Sequence, residues 1–478
     1  MPLEPLRASL LRAAAASVVT VSVAVPFMGR YGWDRDELYF LSASRHPALG
    51  YVDFPPLIAW LIWVVRHLVG DSLVALRLIS LACGIGATLL VVLIARELGG
   101  GASSQLIAGF FWATTPYILG SGSLVHPTWL DVLAWTAACY VTTRIAVRRE
   151  LRLIPLLGVI VGVGLEAKYT IAFLGAALVV AFAVFDREVL RGSRPWIAAG
   201  IALLLVAPNL AWQARHGWPS VHFASSQNAK TAEDTPPPVY VAQQVLFLAG
   251  SIVLAVAGVA WLWRRRLRAL AAIPVLLTLV FLAERGRAYY ALPADSIAVA
   301  AGAVALAGRR KLLISAAVVQ AALCVVVVPV VVAVLPVQTA VSTGYAKAGF
   351  QKDEIGWPDL ARTVDTAWAT LPASVRAHAI VVAGNYGEAS ALERYAHVPV
   401  VSGHLSWQYW RPKRLPQREV LLVGFDGPLG YICASSHVVA RIDNRWHLDN
   451  EERGRTVTRC RLHSTLGAEW RRFARDAL

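Results

Sequence analysis

Charge is scarce in this sequence. Asp, Glu, Lys and Arg make up 16% of its 478 residues, against about 25% in a soluble globule. That shortage excludes an ordinary water-soluble fold, and 57% hydrophobic residues with a positive mean hydropathy point to a chain that lives in a membrane. Lysine is nearly missing too, at 6 of the 45 basic residues. The excess of arginine accompanies an abundance of Ala and Val, which fits a GC-rich coding bias, and no function is drawn from it. No Gly-X-Y period, sustained heptad or long polar tail is present, so collagen, coiled coil and a disordered tail are excluded.

What is present is a series of apolar stretches separated by short charged breaks. They cover about 10–29, 72–95, 104–120, 129–147, 151–166, 168–185, 196–213, 241–263, 269–283, 288–307 and 312–335, and predict about eleven transmembrane helices. No small-residue cleavage site follows the first stretch, so it reads as an uncleaved span and not as a signal peptide. A net charge of +15 would suggest nucleic acid in a soluble protein, but here the basic residues cluster between spans. With the N-terminus in the cytoplasm, 17 basic residues fall inside and 9 in the opposite loops, as the positive-inside rule requires. The expectation is therefore a multi-pass protein of the cell membrane, N-terminus inside and C-terminus outside, in contact with lipid and with no nucleic-acid partner.

This orientation puts three segments outside: the first loop from Arg30 to Asp71, the loop at about 214–240, and everything after residue 336. Within the first loop "PPLIAWLIWVVRHLVG" is too short for a comfortable span and reads as a helix lying in the membrane interface, anchored by Trp60 and Trp63. Past residue 336 the composition becomes that of a soluble fold. "HAIVVAG" and "EVLLVGF" read as buried strands and "WPDLARTVDTAWATL" as an amphipathic helix. Two domains follow: a membrane domain over 1–335, including the loop 30–71, and a small extracytoplasmic α/β domain over 336–478. Cys433 and Cys460 lie in the second, where either a disulfide or two buried thiols is compatible with the sequence.

Ionisable residues at the outer ends of spans are the candidates for chemistry. The first loop opens with "WDRDELYF", where Asp36 and Glu37 are adjacent, and later supplies Asp53 ahead of the paired Pro55 and Pro56. A loop carboxylate is usually only solvated, but three around one cavity suit general-base and positioning work. "SLVHPTWLDVLAW" places His126 at the outer end of the fourth stretch and Asp131 about one turn inside it, where a charge is costly and needs a partner. Lys168, Arg215, His216, Arg285 and Arg287 come to the same level, with Tyr289 and Tyr290 beside them. Each cation alone can simply snorkel. Together they have the composition that an anionic lipid head group needs.

These motifs resemble those of the polytopic C-type (GT-C) glycosyltransferases, which include the protein O-mannosyltransferases and the bacterial lipid A aminoarabinose transferase. "DELYF" is similar to the family's acidic pair, "GYVDFPPLIAWL" to its interfacial helix and "GRAYYALPA" to its late basic-tyrosine-proline motif. "EIGWPDL", "GNYGEASALERY" and "VVSGH" are similar to a bacterial branch of family 39-like enzymes. The resemblance implies a donor sugar carried on polyprenyl phosphate and a glycan, lipid or protein acceptor. It further implies Asp36 as catalytic base with Glu37 beside it, and Asp53 and Asp131 as further acidic positions. Lys168, Arg215, Arg287 and Tyr290 become the candidates for the donor phosphate, and His126 a candidate for the acceptor or sugar pocket. Phe54 stands where the aminoarabinose branch often has lysine, so phosphate binding must come from elsewhere.

The implied reaction needs a base for the acceptor hydroxyl and cations for the departing phosphate, and a single in-line displacement would invert the anomeric centre. It requires no metal or other cofactor, although Asp36, Glu37 and Asp131 offer the oxygen ligands of a hard divalent cation. The alternative from another class is a transporter or flippase of a lipid-linked sugar. Against it, neither "DELYF" nor "DFPP" is repeated in the second half, and the ionisable residues gather at outer ends instead of the midplane.

Overall fold

Where water is absent, every peptide N–H and C=O must be paired within its own segment, and helix is the conformation that does so for a single apolar stretch. The computed structural model describes residues 5–476, and all eleven apolar stretches are helical over most of their length. Length and composition do not reproduce the count of eleven exactly. Among the described residues six helices are long and apolar enough to cross a membrane: Leu6–Phe27, Leu73–Glu97, Pro127–Arg148, Arg194–Arg215, Ala288–Leu306 and Arg310–Val331. A seventh arises if Pro237–Leu248 and Ser251–Arg264, bent by 99°, count as one broken span.

The other stretches are short or interrupted, which hydropathy alone does not register. Ile154–Ala167 has 14 residues and Ile171–Phe185 has 15; at about 1.5 Å per residue they fall short of a hydrocarbon core about 30 Å thick. The stretch 104–120 divides into Ala102–Ala113 and Pro116–Leu119. That break is repaired by side chains. Gln320 Nε2 donates to the Phe111 carbonyl at 2.8 Å and the Thr114 hydroxyl at 2.6 Å, and Ser251 Oγ donates to the same carbonyl at 2.8 Å. Close helix contact elsewhere depends on the absence of a side chain. A Cβ on Gly258 would lie 1.8 Å from the Ala298 carbonyl oxygen, and one on Gly302 would lie 1.9 Å from that of Leu254, so these two helices meet backbone to backbone.

The chain divides into two compact units. One contains the chain up to Met28, Phe54–Ile58 and Val74–Val334; the other contains Gly29–Asp53, Ala59–Leu73 and the chain from Leu335 onward. Most of the segment 30–71 therefore groups with the C-terminal segment and not with the spans that flank it in sequence. The second unit is built on five strands: β1 (Ile380–Ala383), β2 (Val400–Ser402), β3 (Glu419–Val423), β4 (Cys433–Arg441) and β5 (Thr456–Leu462). Their order is β2-β1-β3-β5-β4, with β1 parallel to β2 and β3, and β5 antiparallel to β3 and β4. The two runs read as strands from the sequence form β1 and β3, which are buried almost throughout, and the amphipathic run forms the helix Trp357–Thr370. Cys433 and Cys460 are joined in a disulfide across β4 and β5, with Cα atoms 5.6 Å apart. The apolar stretch of the first loop is the helix Leu57–Val69, on which Trp60 and Trp63 are exposed.

Candidate active site

The acidic motif of the first loop folds as the start of the helix Arg35–Arg45. Asp34 is its N-cap and accepts from the Asp36 backbone N–H at 2.8 Å; Glu37 reaches back and accepts from the Asp34 N–H at 2.9 Å. This reciprocal pair is a capping box. Glu37 is completely buried in it, so the second member of the adjacent acidic pair holds the backbone together. Asp36 is only half-buried, and its Oδ1 accepts from the Tyr386 hydroxyl at 2.7 Å. Burial, followed by the charge of Asp36, keeps the Tyr386 phenol well above its ordinary range, so it remains a donor.

Asp53 is held in a parallel manner. Its Oδ1 accepts from the Tyr39 hydroxyl at 2.9 Å, and that hydroxyl in turn accepts from the Ser406 N–H at 2.9 Å. Ser406 Oγ accepts from the Val52 N–H at 3.0 Å, fixing the backbone just ahead of the acid. Burial pushes the Asp53 carboxyl up to about 7; the Tyr39 hydrogen bond works against that rise and the charge of Asp36 adds to it. Asp34 is likewise held well above the carboxylate range, by burial and then by Asp36 and Glu37. The tyrosine rings that serve the two acids touch, with centroids 4.8 Å apart. Arg35 is paired with Glu451 and Glu452, and lies 3.7 Å from Asp353. Burial opposes its charge, and Glu452, Tyr386, Asp353 and Glu451 more than compensate. The result is one half-buried carboxylate that accepts from a phenol, next to a second that can hold a proton near neutral pH: the equipment for accepting a proton from a hydroxyl.

A second constellation lies in the membrane unit, at the break between Ile154–Ala167 and Ile171–Phe185. Lys168 adopts extended backbone there, which ends the first of these helices, and its Nζ donates to Thr128 Oγ1 at 3.0 Å. The ammonium lies 5.0 Å from the centroid of the Tyr289 ring and 4.7 Å from that of Tyr290. Tyr117 stacks on Tyr289 at 6.4 Å. Asp131, buried, accepts from the Thr170 hydroxyl at 2.7 Å. His126 is the N-cap of Pro127–Arg148, and its Nδ1 accepts from the Thr128 N–H at 3.1 Å. Burial, then the charges of Lys168 and Arg287, push the imidazole down to about 3, so it adds no cation to the cluster. Such a group of a cation, hydroxyls and aromatic walls can receive a phosphate and the beginning of its lipid.

Lys168, Tyr290, His126 and Arg287 are thus neighbours, whereas Arg215 is exposed at the last turn of Arg194–Arg215 and joins none of the contacts described for this cluster. Asp36 and Glu37 belong to one unit and Asp131 to the other. Among the described residues no three His, Cys, Asp or Glu side chains are grouped so as to hold a metal ion. Sequence reasoning did not single out Asp34, Tyr39, Tyr386, Ser406, Thr128 or Thr170. Of these only Asp34 carries a local signal, the Asp-x-x-Glu pattern of a helix start.

Residues 53–212 match the family described as dolichyl-phosphate-mannose-protein mannosyltransferase. No curated protein matches the sequence. Among solved structures the chain is similar to ArnT from Cupriavidus metallidurans bound to undecaprenyl phosphate, with a TM-score of 0.58 and 15% identity over 95% of this chain and 98% of that one. It is also similar to the archaeal oligosaccharyltransferase AglB from Archaeoglobus fulgidus, in complex with an inhibitory peptide and a dolichol-phosphate. There the TM-score is 0.51 and the identity 12%, over 87% of this chain and 69% of that one. At these identities the likeness is one of fold.

Proposed function

We propose that this chain, built on the fold of the C-type glycosyltransferases, is a membrane glycosyltransferase that moves a sugar from a polyprenyl-phosphate donor to a hydroxyl acceptor outside the cytoplasm. The acceptor oxygen attacks the anomeric carbon as its proton passes to Asp36; the bond from that carbon to the phosphate oxygen breaks, and the polyprenyl phosphate departs. One displacement of this kind inverts the anomeric centre. Lys168, Arg287 and the hydroxyls of Thr128 and Tyr290, all in the membrane unit, have the charge and the donors that a lipid phosphate needs. The lipid phosphates bound by ArnT and AglB support a donor of this class, and the Cys433–Cys460 bridge supports an oxidising compartment for the second unit.

The observation that carries this reading is the division of roles within "WDRDELYF". Asp34 and Glu37 form the capping box, while the half-buried Asp36 carboxylate accepts from the Tyr386 phenol. The test is transfer of radiolabelled sugar from polyprenyl phosphate by the purified protein. Label recovered on a hydroxyl-bearing acceptor supports the reading; lipid-linked label that crosses a vesicle membrane without being transferred would replace it with a flippase.

A further inference from the structure

We propose that Tyr386 is a positioning residue for Asp36, which makes the C-terminal α/β segment part of the catalytic apparatus. This inference rests on the reading of Asp36 as the base. The motif "GNYGEASALERY" supplies the second of two helix starts that pack on each other. Asn385 caps the helix Tyr386–Tyr395, accepting from the Glu388 N–H at 2.8 Å, while Glu388 accepts from the Asn385 N–H at 3.2 Å. The other start, with its own capping box, carries Asp36. A capping box fixes the first turn of a helix at both ends of its short loop, so Asp36 and Tyr386 are each held on a rigid turn.

The two turns are brought together by further contacts. A Cβ on Gly387 would lie 2.6 Å from Arg35 Cγ, so the absence of a side chain there lets the second helix approach the first. Further along, Ser42 Oγ donates to Glu393 at 2.6 Å and Arg45 pairs with the same carboxylate at 3.0 Å. The Tyr386 ring is held by Tyr39 at 4.8 Å and His404 at 5.4 Å, and its backbone N–H donates to His404 Nδ1 at 3.2 Å. With ring and backbone both fixed, the hydroxyl has one defined target, Asp36 Oδ1. A donor fixed on one carboxylate oxygen sets the plane of the group, so that its proton-accepting lone pairs are aimed before the acceptor binds. This gives a physical reason for Asn385, Tyr386, Gly387 and Glu388 standing next to one another in the motif.

The experiment compares Tyr386→Phe, Tyr386→His and Asp36→Asn for steady-state sugar transfer, counting only protein in which the Cys433–Cys460 bridge has formed. Phenylalanine keeps the ring contacts and removes the donor. The expected result is a kcat lower by about 10-fold or more, as for loss of a hydrogen bond to a charged group, with KM for lipid donor and for acceptor unchanged. Histidine, which keeps a ring and an N–H donor, should recover part of the rate. A Tyr386→Phe kcat within about twofold of wild type, beside an inactive Asp36→Asn, would overturn this inference and leave the proposed function standing. A Tyr386→Phe protein that fails to accumulate with the bridge formed would assign the hydroxyl a structural role and overturn it as well. If Asp36→Asn itself keeps the wild-type rate, the reading of Asp36 as base fails and Tyr386 loses its role with it.

Discussion

Lys168 illustrates how a cation at the end of a membrane helix can be fixed instead of snorkelling. Its ammonium is tied to the Thr128 hydroxyl and faces two tyrosine rings, so little of its rotamer freedom remains to be lost when an anion arrives. Arg215 carries the same charge at the end of another helix but is exposed and outside that cluster. The two are therefore expected to behave differently. Lys168→Met should raise the apparent KM for a polyprenyl-phosphate sugar by about 30-fold or more, the equivalent of at least about 2 kcal/mol for a partly desolvated charge contact. Arg215→Ala should leave it within about twofold, since an exposed charge contributes little. Donor titration of both variants checks this, and equal effects would remove Lys168 from its special place.

At the scale of elements, the disulfide joins β4, much of which is exposed, to the buried strand β5. The bridge joins positions 27 apart in sequence, and its loss through Cys460→Ser should cost about 3 kcal/mol, seen as a lower thermal midpoint for the second unit. Thiol labelling of the denatured, unreduced protein should leave Cys433 and Cys460 unmodified; full labelling of both would show that the bridge does not form. The strands β1 and β3 are legible in the sequence because continuous runs of Val, Ile and Leu between turn signals have few other uses at that length. The limits of the spans are less legible. Hydropathy reports composition and is blind to breaks such as that after Ala113, where Pro116 starts a new turn, or that at Ala249, an alanine at φ 49°. In the site, the reading of Asp36 and Glu37 as a like pair passes over Asp34, although Asp-x-x-Glu ahead of an apolar run is itself a helix-start pattern. The hydrogen bond from Tyr386 to Asp36 spans 350 positions, and no local spacing encodes it.

At the scale of the whole molecule, orientation decides which donor the carboxylates can meet. The proposed arrangement puts the second unit outside the cytoplasm, where lipid-linked sugars and not nucleotide sugars are the donors. A reporter active only outside should then be active when fused after Leu478; an inactive fusion there would place Asp36 in the cytosol and exclude a polyprenyl donor presented on the outer face. The central claim is that Asp36 takes the proton of the acceptor hydroxyl. Turnover of Asp36→Asn tests it most directly, because asparagine keeps the shape and can still accept from Tyr386 but cannot take up a proton. At equal membrane abundance and with the Cys433–Cys460 bridge formed, sugar transfer should fall by about 10² to 10⁴. A variant that turns over within about threefold of wild type, far below the range of general-base effects, would contradict the account.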